Sequence, residues 1–371
     1  MLETRVVESL AAVDRAAWDS LDGSALEGFD YLSAVEAAGL PGFAFVYVLA
    51  EKDGRLIAAA PGFLTDYALE TTLTSAGRRL AEAVRRVAPR ALRLRLAALG
   101  SPCAEDVGLR LARDLGPDAH RAALDALLAA FDRAAGARGC WLLAIKDAPA
   151  GGAAGWRAAA AAAGYQATAG MPSAELAIDF PDLEAYLARL SPATRKDMRR
   201  KLRSLDDLRV EVRERLDGLE DRVIDLYRQT RARSDLQFEE LTAGYFRGVL
   251  ERLAGRASLV CYFEGEALVA ANLLLHDNET LLDKFFCMDS VRGPALNLWF
   301  VSWFTNVRLC LERGLTRYQS GQGAYRDKLR LGSTTPPADL YFRHRRPLVN
   351  RALRWAAPLF SEDPLRQGEP A

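Results

Sequence analysis

The alternation of apolar and polar positions predicts two strand hairpins about 210 residues apart in the chain. The first reads FAFVYVLAEKDGRLIAAAPGFL (residues 43–64), and the second reads SLVCYFEGEALVAANLLL (residues 258–275). They superimpose without a gap when Gly54 is set on Gly265, and both glycines lie at predicted turns. A repeat at this distance indicates two tandem copies of one α/β unit; chance similarity between apolar hairpins is the alternative.

Helix and strand patterns fill the rest of both halves. In the first half, residues 75–98 and 117–137 are predicted helices, and the apolar run 140–145 is a predicted buried strand. The second half predicts the order β-α-α-β-β-β-loop-α-β. We therefore expect an α/β fold (α+β, with mixed sheets and helices on both faces). The predicted parts are an N-terminal domain at 1–165, a C-terminal domain at 166–346, and a tail at 347–371 that docks on a domain or touches a membrane or partner.

Composition narrows the function without defining it. The 371 residues carry 49 basic and 49 acidic side chains, and this balance argues against a protein that coats DNA. The five cysteines and three histidines are scattered without metal-ligand spacing, so no metal site is expected. The N-terminal residues lack an apolar leader, and the longest apolar stretch (295–311) is broken by Asn297, Asn306 and Arg308. A cytoplasmic protein without a transmembrane segment is the expectation.

A strongly basic helix is predicted from residue 192 to 205. Arg195, Arg199 and Arg203 recur every fourth residue and so share one helix face. A solvated surface is one interpretation of such a run. The other is a docking surface for a polyphosphate or a nucleic-acid backbone.

The loop before the long apolar stretch carries Arg292 and Gly293, followed by Pro294. Backbone N–H groups at a helix start, together with an arginine, form a ready anion site. Asn297, at the start of the same helix, is a candidate to face a ligand. The alternative is an ordinary strand-to-helix turn with proline at the first helical position.

A charged residue interrupts the predicted strand TLLDKFFCM (residues 280–288). Alternation places Asp283, Phe285 and Cys287 on one face, and Lys284 on the other. Structural pairing is the commoner explanation of a charge in such a strand, and a position in a functional cleft is the alternative.

The segment RYQSGQGAYRDKLRLG (residues 317–332) combines flexible glycines with tyrosine, lysine and arginine. Glycine lets the backbone approach a ligand, Lys328 can hold a phosphate or a developing oxyanion, and Tyr325 can donate a proton. A basic surface turn is the alternative. The chain lacks the phosphate-loop, dinucleotide and nucleophile-elbow motifs.

Taken together, four segments resemble the GNAT acyltransferase superfamily, in the branch of FemAB-like peptidyltransferases and CelD-like acetyltransferases. They are LSPATRKDMRRKLRSL, the second hairpin, the Arg292-Gly293 loop and YRDKLRLG. The resemblance implies tandem GNAT-like domains, each a twisted mixed sheet flanked by helices, with a degenerate first domain.

The resemblance also implies roles for single residues. GNAT enzymes bind the pyrophosphate of acyl-CoA on a [QR]xxGx[GA] loop, and here Arg292 and Gly293 keep that pattern at shortened spacing. FemAB-like ligases use aminoacyl-tRNA and a lysine in a late K-x-x-[FL]-G pattern, which Lys328 fits. The expected catalytic residues are Lys328 for charge stabilisation, Tyr325 as proton donor and Asp283 to orient or deprotonate the amine. The expected donor-binding residues are Arg292, Gly293, Asn297, Arg195 and Arg199.

Three functions follow as hypotheses. The first is a cytoplasmic N-acyltransferase that moves an acyl group from acyl-CoA, such as acetyl-CoA, to an amine of a small molecule or cell-envelope or polysaccharide precursor. The second is an aminoacyl-tRNA-dependent peptidyltransferase whose basic helix contacts RNA. The third is a non-catalytic GNAT-like scaffold that binds a nucleotide or a partner protein.

Overall fold

Two mixed β-sheets, each built around one of the predicted hairpins, organise the chain. The computed structural model describes residues 2–68, 93–150, 155–234 and 237–360. Contacts divide the chain into a first unit, residues 1–36, 40–172 and 336–371, and a second unit, residues 37–39 and 173–335. The predicted α/β fold with two mixed sheets is confirmed.

The first sheet takes most of its strands from the first half of the chain. They are β1 (Leu2–Val7), β2 (Phe43–Lys52), β3 (Arg55–Ala68), β4 (Arg93–Leu99), β5 (Arg110–Leu111), β6 (Leu142–Pro149) and β7 (Gln166–Ala169). The second sheet consists of β8 (Glu175–Ala177), β9 (Arg209–Arg213), β10 (Ala257–Glu264), β11 (Ala267–His276), β12 (Thr280–Met288) and β13 (Arg317–Gln319). One further strand, β14 (Ala338–His344), follows the second sheet in the chain.

Helices surround both sheets. The first half contains α1 (Arg15–Asp19), α2 (Phe29–Ala37), α3 (Pro117–Ala137) and α4 (Trp156–Ala162). The second half contains α5 (Leu183–Arg189), α6 (Pro192–Lys201), α7 (Glu220–Ala232), α8 (Ala243–Arg252), α9 (Arg292–Ala295), α10 (Leu298–Arg313), α11 (Tyr325–Arg330) and α12 (Pro347–Phe360). The predicted basic helix at 75–98 is wrong where it can be compared, because residues 93–99 form β4. Its remaining residues, 75–92, lie outside the described part of the chain.

The two sheets repeat one order of strand pairings. The first runs β1-β2-β3-β4-β6-β14-β7, with β5 beside β3, and the second runs β9-β10-β11-β12-β13-β8. In both, a hairpin is followed by one antiparallel pair and then one parallel pair, β4 with β6 and β12 with β13. The hairpins therefore occupy equivalent places, as the sequence repeat predicts.

The register of the turns differs from the gapless superposition by one residue. Both turns contain two residues, between Lys52 and Arg55 in the first hairpin and between Glu264 and Ala267 in the second. Gly54 is thus the second residue of its turn, whereas Gly265 is the first. In the first turn, both residues have positive φ; in the second, only Gly265 does, at 57°. These are the requirements of type I′ and type II′ turns, which place glycine differently.

Two strands that the sequence pattern did not predict, β7 and β14, lie within the predicted second domain but belong to the first sheet. Strand β14 lies between β6 and β7 and is antiparallel to both. Its Tyr341 is buried in the hydrophobic core of the first unit. The predicted boundaries after residues 165 and 346 therefore differ from the division seen in the structure, which falls near residues 172 and 336. The sequence pattern set the boundaries by chain order, and a short strand carries no local mark of the sheet that it joins.

The predicted tail docks through helix α12. The Asn350 side chain accepts a hydrogen bond from the His344 backbone N–H at 3.0 Å and donates one to the Gly164 carbonyl oxygen at 3.0 Å. These bonds attach the start of the helix to the first unit. The rest of the predicted tail, residues 361–371, lies outside the described residues.

A β-bulge decides which way Asp283 faces. The register of β11 and β12 shifts between Leu273, opposite Phe285, and Leu274, opposite Asp283. Phe285 packs against Tyr227 of α7, with ring centroids 5.0 Å apart. Asp283 instead contacts Asn306 of α10. The prediction that Asp283 shares a face with Phe285 is therefore wrong, because the bulge adds one residue and breaks the alternation.

We expect Tyr341→Ala to destabilise the first unit by about 3–5 kcal/mol, because it removes a buried aromatic side chain from the core. Tyr341→Phe removes only the hydroxyl that donates to Asp339 at 2.8 Å, and should cost about 1–3 kcal/mol. Urea denaturation followed by tryptophan fluorescence measures both. Equal midpoints for wild type and Tyr341→Ala would show that β14 does not contribute to this core.

Candidate active site

The parallel pairing of β12 with β13 is short, and the candidate site begins where it stops. Only Thr280–Leu282 and Arg317–Gln319 are paired. Beyond that point β12 continues to Met288, whereas the segment after β13 turns away from β12 into the loop 320–324. Ser320 and Gly321 keep backbone hydrogen bonds to Ala174 on the other side. Asp283 and Ser320 are the first residues past the last pair, so the structure brings these two predicted site segments together.

Three of the five residues in the loop 320–324 have a left-handed backbone conformation. Gly321 and Gly323 have φ of 76° and 77°, and Ala324, which precedes α11, has φ of 49°. Glycine adopts this region without the steric cost that a side chain carries. The two glycines shape the turn.

Lys328 lies beneath this loop rather than on the surface. Its side chain is 4 % exposed, and its ammonium group donates to the carbonyl oxygens of Ser320 at 2.6 Å, Gly321 at 2.8 Å and Gln322 at 3.2 Å. Three carbonyl dipoles compensate the buried charge. Lys328 therefore holds the loop in shape and places a positive charge directly under it.

Helix α11 connects this loop to the core of the second unit. Tyr325, its first residue, is buried. At the other end, the Leu331 carbonyl oxygen accepts a hydrogen bond from the Tyr186 hydroxyl at 2.7 Å, and that hydroxyl accepts one from the Trp303 indole at 3.0 Å. This chain of bonds fixes the helix that carries both Tyr325 and Lys328.

Asp283 belongs to a network of three polar side chains. Its Oδ2 accepts hydrogen bonds from the Tyr318 hydroxyl at 2.9 Å and from Asn306 Nδ2 at 3.0 Å. The Tyr318 hydroxyl also accepts from Asn306 Nδ2, at 2.9 Å. Burial, and then the charge of Asp283, raises the pKa of Tyr318 well above its ordinary value, so the hydroxyl remains a donor. Sequence reasoning missed this role of Asn306, although it had marked the residue as a polar break in an apolar helix.

The loop predicted to bind pyrophosphate has its backbone donors occupied by a protein carboxylate. Asp289 Oδ1 accepts from the N–H groups of Val291 at 3.0 Å and Arg292 at 2.9 Å. Its Oδ2 forms an ion pair with Arg222 at 3.0 Å. The N–H of Arg292, followed by that of Val291 and the charge of Arg222, holds the pKa of Asp289 below its ordinary value despite partial burial. An ionised carboxylate thus occupies the donors that an anion would use.

The side chains of the same loop also have partners within the protein. Arg292 Nε donates to Glu264 at 2.7 Å, and the guanidinium makes a second contact with that carboxylate. A Cβ added at Gly293 would lie 2.6 Å from the sulfur of Met288, so a larger residue there would require the Met288 side chain to move. Asn297 is half-buried and enters α10 with a left-handed φ of 53°. Each of these residues has a structural role in the protein as it stands.

The basic face of α6 is partly neutralised. Arg199 pairs with Glu184 at 2.6 Å, and Arg195 donates to the Ala188 carbonyl oxygen at 3.2 Å. The α-helix ends at Lys201, short of the predicted 205, and Arg203 lies in the 3₁₀ helix that follows. Lys196 and Arg203 are exposed, and neither has an acidic partner in the part of the chain that the structure describes.

A single acid in α6 gathers several of the other cations. Asp197 accepts from Arg200, Lys201 and Arg330. Partial desolvation acts to raise the pKa of Asp197, but these three hydrogen bonds outweigh it and lower the pKa to about 2. Asp197 therefore stays ionised and ties α6 to α11.

The described residues include neither a metal-binding cluster nor a membrane-spanning helix. They contain no group of three or more His, Cys, Asp or Glu side chains placed to hold a metal ion. No helix among them combines the length and the apolar character needed to cross a membrane.

Solved structures share this architecture over nearly the whole chain. The crystal structure of FemX aligns with a TM-score of 0.59 at 11% identity, covering 94% of this chain and 100% of that one. A tandem GNAT protein from the clavulanic acid biosynthesis pathway aligns at 0.54 and 14% identity, covering 94% and 99%. The L-PGS structure from Bacillus licheniformis aligns at 0.55 and 12% identity, covering 93% of each. At such identities the likeness shows the fold, which is the predicted tandem GNAT-like one.

The fold defines a protein of the tandem GNAT-like class, and the sequence then assigns the family. The FemAB-like family, described as peptidoglycan biosynthesis/recognition, matches residues 9–352. The chain belongs to this family, and with it to the acyl-type transferases. A comparison with curated protein sequences gave no match.

We expect Lys328→Met to destabilise the protein by about 3 kcal/mol, because three buried carbonyl oxygens lose their shared donor. Amide hydrogen exchange in the 320–324 loop should accelerate in the folded protein as well. Lys196→Met, on an exposed lysine of α6, is the matched control and should change neither quantity. Unchanged exchange in Lys328→Met would contradict the role of the lysine in holding the loop.

Proposed function

We propose that the protein forms an amide bond by moving an aminoacyl group from aminoacyl-tRNA to an amine of a cell-envelope precursor, in the cytoplasm. One observation carries the choice of donor over acyl-CoA. In the loop where a GNAT enzyme would hold pyrophosphate, Asp289 occupies the backbone donors and Glu264 occupies Arg292. The family description, peptidoglycan biosynthesis/recognition, supports the class of acceptor.

The residues beside the diverging strands suit this chemistry. The acceptor arrives as an ammonium, gives a proton to Asp283, and attacks the ester carbonyl carbon of the donor with its free electron pair. The new C–N bond forms as the C–O bond to the ribose breaks, and Tyr325 gives its proton to the departing oxygen. The nitrogen releases its second proton to solvent as the tetrahedral intermediate collapses to the amide. Lys328 places its charge beneath the loop, where it stabilises the oxyanion of the tetrahedral intermediate. Tyr325 then recovers a proton from the protonated Asp283 through solvent.

Helix α6 and the 3₁₀ helix that follows it (Leu202–Asp207) are the proposed contact for the RNA backbone. Lys196 and Arg203 are exposed, and Arg199 is 56 % exposed in its pair with Glu184. Exposed pairs of this kind contribute little stability, so a phosphate can replace the glutamate. Arg195 lies on the same face, one turn before Arg199.

The donor test uses the full chain with a peptidoglycan precursor that carries a free side-chain amine. We expect transfer from charged tRNA, detected as the mass of one added amino acid, and no transfer from acetyl-CoA. Acetyl-CoA-dependent acetylation with charged tRNA inert would replace this proposal by the acyl-CoA hypothesis. Thermal-shift measurements with both donors complete the test, since binding without transfer would favour the scaffold hypothesis.

We expect Glu264→Gln to tighten CoA binding by up to about tenfold, because it frees the Arg292 guanidinium for a phosphate. Glu266→Gln is the matched control: it lies on the same hairpin, is 98 % exposed and sits 3.7 Å from Arg209. Isothermal titration with CoA compares the two variants. Equal affinities would show that Glu264 does not mask an anion site.

A further inference from the structure

The buried end of Asn306 indicates a ligand site beside Asp283. Asn306 is fully buried, and its Oδ1 has no hydrogen-bond partner among the described residues. The orientation of the amide is determined by its surroundings, because only the NH₂ end can donate to the Asp283 carboxylate. A buried acceptor left without a donor costs about 1–3 kcal/mol, so its retention calls for a function.

The spacing of the two acceptors defines what would fit. Asn306 Nδ2 lies 3.0 Å from Asp283 Oδ2, so covalent geometry keeps Asn306 Oδ1 within about 6 Å of the same carboxylate oxygen. A group placed between them would meet a carboxylate and an amide carbonyl together. The Tyr318 hydroxyl and Asn306 Nδ2 both donate to the carboxylate and hold it in place. Two acceptors, one of them anionic, select a compact cation with several N–H donors.

Further polar side chains lie on the same face of the second sheet as Asp283. Asn272 is fully buried, and neither atom of its amide has a partner in the described part of the chain. It is two residues from Leu274, which pairs with Asp283 on one side and with Ser258 on the other. The Ser258 hydroxyl is likewise buried and without a partner among the described residues. Asn272 is thus a diagonal neighbour of Asp283, at roughly 7–8 Å between Cα atoms.

Access to this place comes from the divergence of the strands. Asp283 is only half-buried, and it is the first residue of β12 after the pairing with β13 ends. A ligand that enters between the diverging strands meets Asp283 first and then the Asn306 carbonyl.

We propose that Asp283 and Asn306 Oδ1 form a binding site for a primary ammonium group, with Tyr318 as the positioning residue of the carboxylate. This deepens the proposed function and rests on it for the identity of the substrate. The ammonium has two possible sources, the α-ammonium of the aminoacyl donor and the side-chain ammonium of the acceptor.

Direct binding tests the site without turnover. Isothermal titration of the full chain compares alaninamide with lactamide, which has a hydroxyl in place of the ammonium. We expect alaninamide to bind at least tenfold more tightly. Asn306→Leu, which keeps the size and removes the acceptor, should abolish this preference. Equal binding of the two compounds to the wild type, or a preference that survives in Asn306→Leu, would overturn the proposal.

Two further variants separate recognition from folding. Tyr318→Phe should reduce the preference for alaninamide about tenfold while the hydrophobic packing of the ring is kept. Ser302→Ala, one turn earlier on α10, removes a hydroxyl whose one partner among the described residues is the Trp299 carbonyl oxygen, and it should leave the preference unchanged. If Asn306→Leu does not fold, an unchanged preference in Tyr318→Phe is the result that counts against the site.

Turnover then identifies the source of the ammonium. Alanyl-tRNA is compared with lactyl-tRNA as donor, and the acceptor amine is compared with its hydroxyl analogue. If Tyr318→Phe raises KM for the donor alone, the site binds the α-ammonium of the donor. If it raises KM for the acceptor alone, the site binds the side-chain ammonium of the acceptor. If no donor supports transfer while the alaninamide preference still depends on Asn306, the proposed function fails and the ammonium site stands.

Discussion

The divergence of β12 and β13 is the constraint on which the candidate site depends. Three residue pairs join the two strands. Beyond them the strands diverge: β12 continues through Asp283, and the segment after β13 turns into the glycine loop. Continued pairing would satisfy the backbone of both strands and close the space between them. Instead the loop turns back, and its carbonyl oxygens are satisfied by the ammonium of Lys328. The opening between the strands therefore depends on the buried lysine, because Lys328 stabilises the loop that forms one side of it.

Charge compensation inside the second unit explains why several attractive site residues have structural roles. Asp289 caps the N–H groups ahead of α9, Glu264 engages Arg292, and Asp197 gathers cations from α6 and α11. Each contact replaces an interaction that an anionic ligand would otherwise make. The Asp283 network has the opposite character, because it leaves the buried carbonyl oxygen of Asn306 without a donor among the described residues. The start of α9 is therefore poorly suited to an anion, because protein carboxylates already fill its donors. The region beside the diverging strands is suited to a cation.

The two units share a pairing order but complete their sheets with different parts of the chain. In the second sheet, β8 lies beside β13 and comes before the rest of its sheet in sequence. In the first sheet, the equivalent place beside β6 is taken by β14, which follows the whole second unit. The loop-closure cost grows only slowly with such a separation, but pairing between distant segments is slow to form. The first sheet is complete only when the end of the chain has been made.

Local pattern in the sequence determined the hairpins, the apolar helix α10, the glycine turn and the lysine that follows it. These features depend on alternation, helical periodicity and backbone freedom over a few residues, and the resemblance to a family supplied the tandem arrangement. Only the tertiary structure decided which way Asp283 faces, because one bulge residue reverses the alternation. It also decided that Lys328 is buried, that Arg292 is paired with Glu264, and that β14 joins the first sheet. Partners such as Glu264 and Arg292, or β14 and β6, are distant in sequence, and nothing in the local pattern specifies which of many similar groups will meet.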